Sequence, residues 1–113
     1  MDSTEQIEKY RHDLAFLQLM ADQTVKDFQR FGYEVKFNEN LPVCFENFRL
    51  QLAADLKNWC SNDSKRLASL MYAIDVPEHK LPARSGCADP SKMAEVILQR
   101  ELIKVVIRKL YSG

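Results

Sequence analysis

The stretch ADPSKMAEVILQRELIKVVIRKLYSG, from Ala88 to Gly113, decides how this chain is built. Asp89 and Pro90 open it as an N-cap and a first helical residue, where the missing proline N–H costs little. The residues after them are apolar on far more than one face. At 100° per residue, Ala94, Val96, Leu98, Leu102, Ile103, Val105, Val106, Ile107 and Leu110 sweep roughly 220° of the helix. A helix packed on one side needs about half that arc. The pattern therefore predicts a central C-terminal helix with the rest of the chain around it, or a helix covered in part by a second molecule. The remaining narrow face holds Arg100, Lys104 and Arg108 at successive i+4 steps, with Glu101 beside them and Met93, Ile97 and Tyr111 on or next to it.

Working back along the chain, the other periods are also helical. Ile7, Tyr10, Leu14, Leu17, Ala21, Thr24, Phe28 and Phe31 alternate in steps of three and four, which predicts one helix from about Ser3 to Phe31, closed by Gly32. Phe45, Phe48, Leu52, Leu56 and Trp59 form the face of a second helix, expected to start at Asn40 or Leu41 with Pro42 in its first turn. Ser61 to Asp63 breaks it, and Leu67, Leu70, Met71 and Ile74 mark a short third helix. Asp75 to Pro90 carries three prolines and no period, and reads as a long loop. The expectation is an all-α bundle of three to four helices, a single domain over residues 1–113.

One segment departs from this pattern. Tyr33, Val35 and Phe37 alternate with Glu34, Lys36 and Asn38, the period of a strand, yet no second segment offers to pair with it. It is read as an extended connector, the alternative being a strand that pairs with another molecule.

The totals limit the function classes. With 46% apolar and 28% charged residues the chain is ordinary for a globular protein. Sixteen basic residues balance sixteen acidic ones, which removes the general electrostatic footprint of a nucleic-acid binder. No apolar run is long enough for a membrane span, and the polar start MDSTEQIEKY does not read as a signal peptide. The three cysteines, Cys44, Cys60 and Cys87, have no paired spacing and are read as free thiols, which points to the cytoplasm.

Candidate site residues are few. Arg49 projects between Phe45, Leu52, Ala53 and Leu56, and a guanidinium there needs a carboxylate partner or an anionic ligand. Such a ligand would lie in a pocket between helices, with the 75–90 loop as its lid. The stripe of Arg100, Lys104 and Arg108 suits phosphates or, more commonly, solvent. Glu8 and His12, four apart, lack the further ligands a metal needs, and His79 stands alone; no metal or cofactor is expected. Cys87 has no evident base. No phosphate loop, nucleophile elbow or dinucleotide fingerprint occurs, so nothing argues for an enzyme. Phe16 and Leu19 off the first helix's stripe, with Tyr33, Val35 and Phe37, supply spare apolar surface. They favour an interaction protein whose partner is a second copy, as a homodimer, or another protein.

Overall fold

The computed structural model describes residues 8–62, 64–74 and 89–111. Within them the chain is all-α: α1 spans Leu14–Gln29, α2 Phe45–Asn62, α3 Ser64–Ala73 and α4 Pro90–Tyr111. Among the described residues there is no strand. The helix α4 packs against both α2 and α1, and α3 packs against α2. The C-terminal helix is thus central, as its wide apolar arc requires.

Asp13 overturns the expectation of one unbroken helix from Ser3 to Phe31. Residues 8–10 are helical, but the chain tightens where Arg11 N–H donates to the Glu8 carbonyl and Asp13 N–H to that of Tyr10. Asp13 is itself extended, and its carboxylate accepts from Phe16 N–H at 3.2 Å. An aspartate that satisfies an orphan amide stabilises a new helix start over continuation of the old one. Leu14, placed on the stripe by its spacing, is 64% exposed in consequence. Leu17, Ala21, Thr24 and Phe28 are buried as their spacing predicts, and Ile7 lies outside the described residues.

The end of α1 depends on Gly32. Its φ of 84° lets Tyr33 N–H reach the Phe28 carbonyl while Gly32 N–H bonds that of Gln29, both at 3.0 Å. This is the Schellman arrangement, and the Tyr33 ring accordingly packs against Phe28 with centroids 6.2 Å apart. Trp59 completes the aromatic group at 4.5 Å from Tyr33.

The connector reading holds for residues 33–38, which are neither helix nor strand. Their spare apolar residues, however, are largely used within the chain. Tyr33 and Val35 are buried in the core, Phe37 packs edge-on against Phe48, and Phe16 does so against Tyr10. Of the five residues expected to form an interaction surface, only Leu19 is exposed.

Helix α2 starts at Phe45, later than expected, so Pro42 precedes the helix instead of entering its first turn. The Cys44 carbonyl accepts the first helical bond from Phe48, and its Sγ accepts from Asn47 N–H. Asn38 holds the chain in a turn before that point, its side chain accepting from Asn40 N–H. At α4 the cap is as predicted: Asp89 accepts from Lys92 N–H through its carboxylate and from Met93 through its carbonyl.

Along α4 the buried set runs from Met93 through Val106 and includes Met93 and Ile97, which the helical wheel put on the open face. Beyond Val106 burial stops, although Ile107 and Leu110 belong to the predicted arc. The free-thiol expectation fails at Cys60, which is disulfide-bonded; Cys44 is free. Most of the 75–90 loop, with His79 and Cys87, lies outside the described residues.

Candidate functional site

The interface of α1 and α4 buries an unusual amount of charge. Asp27, one helical turn after Thr24 on the stripe of α1, is inside the core; Glu101, one turn after Ile97, is 0% exposed. Lys104 reaches in from the rim and donates to both, to Asp27 Oδ2 at 2.8 Å and to Glu101 Oε1 at 3.0 Å. Gln23 and Arg30 donate to the other Asp27 oxygen at 2.9 and 3.2 Å.

Two carboxyls and one ammonium in a core cannot all be charged without cost. Burial pushes the Glu101 carboxyl up to about 8, helped by its hydrogen bond to Asp27 and that group's charge, against the pull of Lys104. Burial also acts to raise Asp27, but hydrogen bonds from Glu101, Lys104 and Gln23 outweigh it and leave that carboxyl below its usual value. These opposite shifts favour a neutral Glu101 beside an ionised Asp27. As a carboxylate, Glu101 would leave Oε2 with no donor at all. The pair holds a proton at neutral pH, but both of its carboxyls are buried.

The predicted basic stripe ends up on this same interface. Lys104 joins the two acids, Arg108 donates to Gln23 Oε1 at 2.9 Å, and Arg100 donates to the Ile74 carbonyl at 3.4 Å. The three cations are therefore held by intramolecular acceptors. Arg49 is likewise engaged: its guanidinium grips Glu46 in a bidentate pair and donates to Ser91 Oγ at the start of α4. It secures α2 to α4. Glu8 pairs with Arg11, and among the described residues no group of three acids, histidines or cysteines is placed to hold a metal.

Sequence reasoning missed Asp27 and Glu101. The signal was available for Glu101, which shares its face with Ile97, Leu98, Leu102 and Val105. Its neighbouring cations drew it to the polar side of the wheel.

Two surface features remain. Ile107, Leu110 and Tyr111 are 50%, 53% and 78% exposed, and their i, i+3, i+4 spacing puts them on one face at the end of α4. Separately, two adjoining hollows of about 590 and 400 Å³ run between α1 and residues 32–43 and meet at Val25 and Lys36. Arg49, expected as the anchor of an anion pocket, lines neither of them.

Fold and surface together define a small all-α domain with a charge-stapled core, and no described helix is long and apolar enough to cross a membrane. No protein-family model matches the chain, and neither a curated protein nor a solved structure does.

Proposed function

We propose that the chain is a small helical protein-interaction domain that associates with itself or with another protein, acting as a subunit, adaptor or regulator. The observation that carries this is the exposed face of Ile107, Leu110 and Tyr111, which continues the buried arc of α4 past the point where the chain covers it. Apolar residues scattered singly over a surface need no explanation, whereas a contiguous set on one helix face favours an interaction site. A second copy is the first partner to test, since two-fold assemblies are the commonest. The disulfide at Cys60 favours an oxidising compartment over the cytoplasm that three free thiols would suggest.

Light scattering coupled to size exclusion, over a range of concentrations, tests the reading. The expected result is a mass above one chain, or capture of a partner by the monomer, and loss of either in Ile107→Glu/Leu110→Glu with the helical signal unchanged. Association that survives the double substitution would place the interface elsewhere. A monomer that captures no partner would refute the reading.

A further inference from the structure

The geometry points to a second, separate interaction surface: residues 34–37 form an open backbone edge that takes a short, basic, extended peptide of a partner protein into the groove against α1. The inference deepens the reading of this chain as an interaction domain and rests on it.

Side chains along the connector alternate, with Tyr33 and Val35 buried and Glu34 and Lys36 exposed. That alternation is the period of extended chain, in which backbone N–H and C=O groups point sideways. Tyr33 N–H is used by the cap of α1 and Asn38 N–H by Gln51. Between them, no described residue hydrogen-bonds to the backbone of Glu34, Val35, Lys36 or Phe37. Held in place by the buried Val35 and the half-buried Phe37, these four successive residues thus offer an unpaired edge. Such an edge is what a peptide pairs with when it adds as a strand.

Space lies alongside that edge. The two hollows together track α1 from Gln18 to Gln29, which is about 16 Å at 1.5 Å per residue. An extended peptide covers that length in about five residues. Ala21, Val25, Val43 and Phe48 give the groove apolar lining for alternate side chains.

Charge selects the peptide. Asp22, Glu34 and Glu39 line the hollows against one cation, Lys36. That lysine is already paired with Glu34 at 3.1 Å, and Asp22 accepts only from the uncharged Gln18 amide. Two acids are left over, so lysine or arginine is favoured at alternate positions of the ligand.

The test is a titration of the isotope-labelled full chain with the capped peptide KVKVK at low salt, read by amide chemical shift and exchange. Shifts and slowed exchange at Glu34 to Phe37 are expected. Binding of EVEVE, and of KVKVK to the Asp22→Lys/Glu39→Lys variant, should be weaker by about tenfold or more. Of two KVKVK peptides N-methylated on alternate residues, in the two registers, one should also bind about tenfold more weakly, because it lacks the donors facing the edge. No shift at millimolar KVKVK, or equal binding by both methylated peptides, would overturn the proposal. So would concentration-dependent protection of the 34–37 amides without peptide, which would make a second copy the occupant. Should KVKVK fail while the light-scattering experiment finds association through α4, the groove proposal falls and the interaction reading stands.

Discussion

Replacing Glu101 by Gln removes the group that, among the described residues, has its titration pushed closest to neutral pH. In the folded chain its carboxyl is raised from 4.5 to about 8. Folding therefore takes up a proton between those values. The native state binds more protons than the unfolded one there, so stability is full below pH 4.5 and falls as pH rises toward 8. A difference of this size corresponds to roughly 5 kcal/mol in all, of which about 3 is already lost at pH 7. Against a total stability of about 5–15 kcal/mol for a small domain, that is a dominant effect. Asp27 does not offset it in this range. Its carboxyl is lowered from 3.8, so its contribution is present above that pH and lost only in stronger acid. Glu101→Gln keeps the shape, accepts from Lys104 and donates to Asp27 through its amide, but does not titrate. Urea midpoints by circular dichroism, taken at unit steps between about pH 5 and 8, should decline for the wild type and stay nearly level for the variant. The difference between the two also cancels what is common to both chains, including Asp55, whose carboxyl burial raises. A wild-type midpoint that is flat over this range, or a variant that declines in parallel with it, would refute the assignment of the proton to Glu101.

Local geometry sets two further outcomes. Gly32→Ala should lower stability by about 1–2 kcal/mol, since an L-residue is strained at its φ of 84° and the added Cβ would sit 3.0 Å from Arg66 Nη1; thermal unfolding measures this, and an unchanged midpoint would argue against the cap. Alkylation of the unfolded, unreduced chain should label Cys44 and leave Cys60 unlabelled until reductant is added; peptide mass spectrometry reads both, and a labelled Cys60 before reduction would remove the disulfide and with it the case for an oxidising compartment.

The helices were readable because burial imposes period: Phe45, Phe48, Leu52 and Leu56 are all inside, as are Leu67, Leu70 and Met71. Boundaries were less readable, because they depend on which of several competing caps wins. Asp89 has Pro90 behind it and was unambiguous; Asp13 sits inside a continuous apolar period, and the period hid the cap. Pro42 would have suited a first helical turn, but the turn at Asn38 holds the chain back until Cys44. Tyr33 and Val35 looked spare only because a core was counted in helices. The structure lets a connector supply core side chains, closing over Phe28 and Trp59.

Arg100, Lys104 and Arg108 show why the buried polar pair was the hardest feature to foresee. A helix that is apolar over most of its circumference has little reason to choose one rotation about its axis, because many rotations bury similar area. Polar contacts of fixed geometry do discriminate, since a buried donor or acceptor without its partner costs far more than a displaced methyl group. On α4 those contacts recur at each turn: Arg100 to the end of α3, Lys104 to Asp27, and Arg108 to Gln23. Turning α4 away from this setting would separate Lys104 from Asp27 and leave Glu101 without the one cation it meets. On a wheel, the three cations looked like a surface for phosphates; packed against α1 and α3, they fix the rotation of the central helix. That rotation also decides that Ile107 and Leu110, at the end of its apolar arc, are left facing out beside Tyr111.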